Sequence, residues 1–172
     1  MLTGRFSTWP QFSKEEANSV RDVVLSNKVN YWTGKECHRF EKEFASWSES
    51  KYAVALANGT LALDIALKAL CIGNGDEVIV TPRTYIASVS SIVNSGATPI
   101  FADVDLESQN ITSDSIHSVI TNKTKAVICV HLAGWSCELD EIMDIANEYD
   151  LYVIEDCAQA HGAKYKGKPI GS

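Results

Sequence analysis

The chain has 172 residues, of which 45% are hydrophobic and 22% are charged, and its formal net charge is −7 at pH 7. This length and composition indicate an ordinary globular protein with room for one domain. The acidic balance argues against a general nucleic-acid-binding surface, which would be basic, and no apolar run approaches the roughly 20 residues that a membrane helix needs.

The N-terminal stretch MLTGRFSTWPQFSKEE has no basic segment followed by an apolar one. It does not resemble a secretory signal, so a cytoplasmic location is predicted. The five cysteines fit that compartment, because their number is odd and none forms a C-x-x-C pair. We therefore expect reduced thiols rather than a disulfide framework or a zinc ribbon.

Two amphipathic helices are predicted in the first 50 residues. Ser13 with Glu16 three residues later is the pattern of a helix-capping box, and valines follow at helical spacing. In the next stretch, Phe40, Phe44 and Trp47 recur at intervals of four and three residues. Residues 1–50 are therefore predicted to form an N-terminal helical segment.

Residues 51–172 alternate between short apolar runs and helical patterns. Five runs are predicted as strands: YAVAL, EVIVT, TPIFADVD, KAVICVHLAG and LYVIED. Each is followed by a helical pattern, the last of these patterns being CAQAHG. Strands that alternate with helices indicate right-handed β-α-β crossovers and a mainly parallel sheet. The fold class predicted is α/β, with three layers in the order helix, sheet, helix.

The turn Asn58-Gly59-Thr60 lies between the first predicted strand and a helix rich in Leu and Ala. A helix N-terminus exposes unpaired N–H groups, Gly59 permits close backbone approach, and Thr60 adds a hydroxyl, so this turn suits a phosphate. Ordinary helix capping explains the same residues equally well. The turn lacks both G-x-G-x-x-G and the lysine of a Walker loop, which counts against dinucleotide and nucleoside triphosphate sites.

Two further groups of side chains lie at predicted strand ends. Tyr85 follows the second strand, where it either stacks on a flat ring or packs against the sheet. A second set combines imidazole and thiol groups, but its spacing is not that of a closed zinc site, and no metal is predicted there. This second set consists of His131, Cys137, Cys157 and His161.

The fifth predicted strand is expected to be buried on both faces, and it ends in Glu155 and Asp156. Neighbouring strand residues point to opposite faces, so only one of these acids is expected to meet a ligand. Asp156 suits a protonated pyridine nitrogen, because a carboxylate stabilises that cation. Gln159 either donates to a ring oxygen or serves as a cap.

Five blocks of this sequence together resemble the DegT/DnrJ/EryC1/StrS family of sugar aminotransferases, which depend on pyridoxal phosphate and have the fold type I architecture. The resemblance implies that Gly59 and Thr60 bind the cofactor phosphate and that Tyr85 stacks on its ring. It places Asp156 at the pyridine nitrogen and Gln159 near the phenolic oxygen. The blocks are NYWTGKECHRFEKEFA, ALANGTLALDIALKAL, GDEVIVTPRTYIASVSSIVNSGATPIFADVD, TKAVICVHLAG and LYVIEDCAQAHGAKYKGKPIGS.

Family members are more than twice this long, and their Schiff-base lysine lies shortly beyond the position of Ser172. Lys164, Lys166 and Lys168 precede that position on a predicted polar hairpin, and none of them matches it. We therefore expect residues 1–172 to form the N-terminal part of the cofactor-binding large domain. We expect the C-terminal domain of the family to lie outside this chain, and the chain to be inactive alone.

The resemblance implies transfer of an amino group, usually from glutamate, to a nucleotide-linked keto-deoxysugar for polysaccharide or amino-sugar synthesis, by a homodimer. One alternative is a sugar dehydratase of the same fold group, in which a histidine replaces the lysine. Another is a non-catalytic module that binds phosphate or dimerises. A nicotinamide-dependent oxidoreductase is disfavoured because the first strand lacks a glycine fingerprint. The sequence leaves the sugar, the nucleotide, the carbon position and the amino donor undetermined.

Overall fold

A computed structural model describes residues 10–172. The described helices are α1 (Lys14–Leu25), α2 (Glu36–Trp47), α3 (Gly59–Ala69), α4 (Ile86–Ser95), α5 (Ser113–His117) and α6 (Leu139–Tyr149). The strands are β1 (Glu77–Val80), β2 (Thr98–Phe101), β3 (Thr124–Val130), β4 (Tyr152–Asp156), β5 (Lys164–Tyr165) and β6 (Lys168–Pro169). Among these residues, every helix is too short or too polar to cross a membrane.

Strands β1 to β4 form one parallel sheet in the order β2-β1-β3-β4, and β5 pairs with β6 in a separate antiparallel hairpin. Helix α3 precedes β1, and helices α4 to α6 connect β1 to β4 in the alternating order that the sequence predicts. Short strands separated by helices cannot pair through tight turns, so the connections cross over the sheet and leave its strands parallel. The predicted α/β class is confirmed.

Helix α1 begins as predicted, at a capping box. The Glu16 backbone N–H donates to the Ser13 hydroxyl at 3.1 Å, and the Ser13 N–H donates to the Glu16 carboxylate at 2.6 Å. No residue of α1 or α2 is buried. The apolar side chains of both helices are exposed, as Val24 and Trp47 are, or only partly buried, as Phe44 is.

The core lies on both faces of the central strands β1 and β3. On one face, Val78 and Ile128 pack with Leu67 of α3 and Ile92 of α4. On the opposite face, neighbouring strand residues form a second cluster with helices α5 and α6. This second cluster includes Ile79, Val127, Cys129, Ile116 and Ile142. Two helix layers thus enclose the sheet, as the predicted three-layer arrangement requires.

Strand β4 is less buried than the sequence suggested. Tyr152 is 52% exposed, and the remaining β4 residues are only partly buried. Within residues 10–172, β4 is an edge strand that pairs only with β3. The expectation that this strand is buried on both faces is therefore wrong, and β3 has that position instead.

The first predicted strand, YAVAL, is also wrong for this chain. Residues 52–56 form no ladder, and Tyr52 and Val54 are each 75% exposed. A strand exists only where a neighbour completes its backbone hydrogen bonds, and the part of the chain that the structure describes supplies none. The stretch CAQAHG, after β4, likewise forms turns rather than a helix.

Candidate functional site

The candidate site lies along the edge of the sheet where β1, β3 and β4 end. Asp156 is the last residue of β4, and Tyr85 is the N-cap of α4, which follows β1. Helix α3 ends just before β1 begins, so it runs back along the sheet and directs Gly59 towards the same edge. In parallel α/β sheets this edge is where ligands bind.

Asp156 faces the layer formed by α3 and α4. The Ser88 hydroxyl of α4 donates to Asp156 Oδ2 at 2.8 Å, and the Ala158 backbone N–H donates to Oδ1 at 3.2 Å. The Thr84 and Ser88 hydroxyl oxygens are also 2.8 Å apart. Both oxygens of the carboxylate are therefore held by hydrogen-bond donors.

The N-terminus of α3 combines free donors with open space. The Asn58 side chain accepts from the Leu61 backbone N–H at 3.0 Å, so the capping role considered for this turn belongs to Asn58. The N–H groups of Gly59 and Thr60 have no acceptor within residues 10–172. A Cβ atom added to Gly59 would meet no atom within 4 Å. This cradle suits an anion.

Tyr85 does not pack against the sheet, which was one of its two predicted positions. Its side chain is 71% exposed. It follows Thr84, whose hydroxyl belongs to the hydrogen-bond chain that ends at Asp156. The ring is thus available to a flat ligand bound near this carboxylate.

Gln159 is oriented by the turn after β3. Its Oε1 atom accepts from the Ala133 backbone N–H at 2.7 Å. Ala133 has a left-handed backbone conformation with φ 53°. Because the amide oxygen occupies this contact, the amide nitrogen points elsewhere, and it meets no acceptor in the described chain. Gln159 therefore offers a donor rather than an acceptor.

Glu155 lies on the face opposite Asp156, as the strand alternation predicted. Its Oε2 atom is 3.0 Å from Nε2 of the fully buried His131, and it also accepts from the Gly171 backbone N–H at 3.2 Å. The Cys137 backbone N–H donates to His131 Nδ1 at 3.1 Å. Nδ1 is therefore the acceptor of this ring, and Nε2 carries the proton that is donated to Glu155.

The metal set considered from sequence does not assemble as such. His131, Glu155 and Cys157 bring ligand atoms within 4.8 Å of one another, whereas His161 lies beside Phe44, with ring centroids 6.2 Å apart. His131 Nε2 is the only nitrogen of this ring directed at the cluster, and it bears a proton. We therefore interpret the cluster of His131, Glu155 and Cys157 as a hydrogen-bonded support for the turn after β3. That no metal binds there stays a prediction.

The three lysines near the end of the chain lie on the β5–β6 hairpin, as predicted. Lys166 forms an ion pair with Asp140 of α6, and hydrogen bonding to this carboxylate raises the pKa of Lys166. A Schiff-base lysine must react as a neutral amine. The contact with Asp140 therefore disfavours that role for Lys166.

Ser88 is the residue that sequence reasoning missed at this edge. It is fully buried, and its partner Asp156 lies 68 positions further along the chain. The one available signal was a serine three residues after Tyr85, in a helix that contains several other serines. That pattern does not indicate which group the hydroxyl meets.

The model of the DegT/DnrJ/EryC1/StrS aminotransferase family matches residues 10–172. The chain is 48% identical over 160 residues to GDP-perosamine synthase of Escherichia coli O157:H7, a match that covers 92% of this chain and 43% of that protein. It is 49% identical over 162 residues to dTDP-3-amino-3,6-dideoxy-alpha-D-galactopyranose transaminase of Aneurinibacillus thermoaerophilus, covering 94% and 44%. The chain thus spans less than half the length of these relatives.

Solved structures show the same likeness. The aminotransferase from Psychrobacter cryohalolentis superposes with a TM-score of 0.95 and 65% identity, over 97% of this chain and 42% of that one. Spr1654 from Streptococcus pneumoniae, solved in its PLP form, has a TM-score of 0.86 and 32% identity over 95% and 45%. These findings confirm the predicted fold type I architecture and pyridoxal phosphate as the cofactor.

Proposed function

The chain belongs to the DegT/DnrJ/EryC1/StrS aminotransferase family, and from this membership we propose that it is the N-terminal part of a sugar aminotransferase. The complete protein would transfer an amino group to a keto group on a nucleotide-linked deoxysugar. The observation that carries the proposal is Asp156, a carboxylate held by two donors at the sheet edge where ligands bind. Such a group suits the protonated ring nitrogen of pyridoxal phosphate.

The residues at this edge fit the cofactor. Gly59 and Thr60 would donate two backbone N–H groups to its phosphate, in a cradle that no side chain of the described residues fills. The exposed Tyr85 ring would lie against the pyridine ring, and the free amide nitrogen of Gln159 would donate to the phenolic oxygen. When bound, pyridoxal phosphate supplies an electron sink for carbanion chemistry.

In this assignment the residues of this chain bind and orient the cofactor, and Asp156 holds a proton on its ring nitrogen. The lysine that would move a proton at the substrate carbon is proposed to lie outside these 172 residues. The relatives' names specify both GDP and dTDP sugars. We therefore propose a nucleotide-linked keto sugar as the substrate class. We also propose glutamate as the amino donor and a cytoplasmic location.

The proposed function is tested with the complete protein, pyridoxal phosphate, glutamate and a panel of nucleotide-linked keto-deoxysugars. We expect formation of 2-oxoglutarate together with one amino sugar, measured by mass spectrometry. Loss of water from the sugar without amino transfer would favour the dehydratase alternative. Failure to bind the cofactor would favour the non-catalytic module.

Replacing Gly59 with valine is expected to weaken pyridoxal phosphate binding by about ten- to a hundredfold, because hydrogen bonds to charged groups contribute about 1.5–3 kcal/mol. The added side chain fills the cradle but displaces no atom of the described chain. Equilibrium dialysis measures the affinity. The thermal unfolding midpoint of the cofactor-free variant is the control, and we expect it to stay close to that of the parent. Unchanged affinity would remove Gly59 from the phosphate site.

We also propose that the complete protein is a homodimer, since α1 and α2 bury no residue within this chain. The 172-residue chain is expected to self-associate or to bind a hydrophobic dye. Val24→Lys should reduce either signal, whereas Asn18→Lys, about 120° around α1 from Val24, adds the same charge and should not. Sedimentation and dye fluorescence test this. A clean monomer without dye binding would contradict the prediction.

A further inference from the structure

We propose that Ser88 is a positioning residue for Asp156, and that its buried hydroxyl holds the carboxylate in the hydrogen-bonded orientation on which the ring nitrogen depends. The proposal rests on the function proposed above, because it assigns Asp156 to the cofactor ring. It adds a group on α4 that touches neither the cofactor nor the substrate in this assignment. It follows from the direction of two hydrogen bonds.

The proton positions in the chain Thr84–Ser88–Asp156 are determined by the carboxylate at its end. An ionised carboxylate only accepts hydrogen bonds, so the Ser88 hydroxyl donates its single proton to Asp156 Oδ2 across 2.8 Å. Ser88 then has no proton left for Thr84, and the Thr84 hydroxyl must donate to the Ser88 oxygen, also across 2.8 Å. Each hydroxyl polarises the next one towards Asp156.

Burial makes the Ser88 contact difficult to replace. Ser88 is 0% exposed, so its hydroxyl meets Asp156 from the protein side, while the partly buried Asp156 keeps some access to solvent. Hydrogen bonds to charged groups are stronger than those between neutral groups, and more so away from water. Since Ala158 N–H holds the other oxygen at 3.2 Å, the two donors together fix the plane of the carboxylate.

The Ser88 hydrogen bond affects whether the shared proton lies on the cofactor ring nitrogen or on the Asp156 carboxylate. A ring nitrogen and a carboxylate form either a pyridinium with a carboxylate or a neutral ring with a neutral acid. A donor to the carboxylate stabilises the first arrangement. Ser88 therefore favours the protonated ring, and its loss shifts the balance towards the neutral pair.

The hydrogen-bond series Thr84–Ser88–Asp156 also links Asp156 to the loop that presents Tyr85. Thr84 directly precedes Tyr85, and its hydroxyl is the first donor in the series. The loop that offers a ring to the cofactor and the acid that meets the ring nitrogen are thus held in one hydrogen-bonded unit. Removal of Ser88 breaks this unit at its centre.

The test uses the complete protein loaded with pyridoxal phosphate labelled with nitrogen-15 in the ring. Ser88→Ala removes the donor, and Ser88→Thr retains a hydroxyl. Ser91→Ala is the matched control, because Ser91 is also fully buried on α4 but donates only to the Ser88 carbonyl, at 3.3 Å. The nitrogen-15 chemical shift reports whether the ring nitrogen carries a proton, and crystal structures of the cofactor-free variants report the orientation of Asp156.

In Ser88→Ala we expect the nitrogen-15 shift to move towards that of a neutral ring, cofactor affinity to fall about tenfold, and Asp156 to lose its orientation. Ser88→Thr and Ser91→Ala should resemble the parent. An unchanged shift and orientation in Ser88→Ala, or an equal change in Ser91→Ala, would overturn the proposal. If the parent binds no pyridoxal phosphate, the proposed function fails, and the orientation of Asp156 in the cofactor-free Ser88→Ala still decides the role of Ser88.

Discussion

Asp156→Asn in the complete protein is expected to lower turnover by about a hundredfold to ten-thousandfold, the range associated with loss of a group that controls a proton in the reaction. The asparagine oxygen can still accept from Ser88, although its amide nitrogen then faces the Ala158 N–H and that one hydrogen bond is lost. The overall fold should persist. The asparagine amide has no negative charge, however, and cannot stabilise a protonated ring nitrogen. Steady-state kinetics measure the loss, and circular dichroism checks the fold.

Glu155→Gln is the matched control, because it neutralises the neighbouring residue on the opposite face of β4. The glutamine oxygen remains able to accept from His131 Nε2 and the Gly171 N–H, the two donors that Glu155 meets in the structure. Turnover should change by less than about tenfold, since a surviving hydrogen bond to a neutral acceptor loses only about 1 kcal/mol. Equal losses from the two substitutions would contradict the assignment of Asp156.

The 172-residue chain by itself is expected to show no glutamate-dependent transamination and no stoichiometric covalent cofactor after borohydride reduction. In the function proposed above, this chain supplies the phosphate cradle and Asp156, whereas the Schiff-base lysine lies outside these 172 residues. The lysines of the β5–β6 hairpin are not expected to replace the Schiff-base lysine. Lys166 is paired with Asp140, which raises its pKa and so keeps it protonated.

The measurement is a peptide map after reduction and digestion, with the complete protein treated in parallel. Surface lysines will give scattered, substoichiometric labelling in the chain, whereas one lysine of the complete protein should hold a full equivalent. A full equivalent on Lys164, Lys166 or Lys168, or any turnover above that of free pyridoxal phosphate, would show that the Schiff-base lysine has been wrongly placed.

The elements governed by local sequence were predicted well. The capping box of α1 depends on Ser13 and Glu16, which are three residues apart. The alternation of strands and helices from β1 to β4 depends on short apolar runs and on the turns between them. Even the opposite orientations of Glu155 and Asp156 follow from the two-residue period of a strand. Such features need no knowledge of distant partners.

Features that depend on a distant partner were not predicted. The run YAVAL has the composition of a strand, but residues 52–56 remain unpaired because no neighbour within residues 10–172 completes their hydrogen bonds. Strand β4 looked like a central strand, yet it has a neighbour on one side only. Strand pairing is decided by which segments meet, and composition does not specify that.

The candidate site divides in the same way. The sequence alone placed Gly59, Thr60, Tyr85, Asp156 and Gln159 near strand ends and helix starts, because those positions follow from the order of elements. Only the tertiary structure brought Ser88 against Asp156, and only it turned the Gln159 oxygen to Ala133. A hydrogen bond across 68 residues exists because two packed layers bring α4 against the end of β4, and a serine carries no local sign of the acid that it will meet.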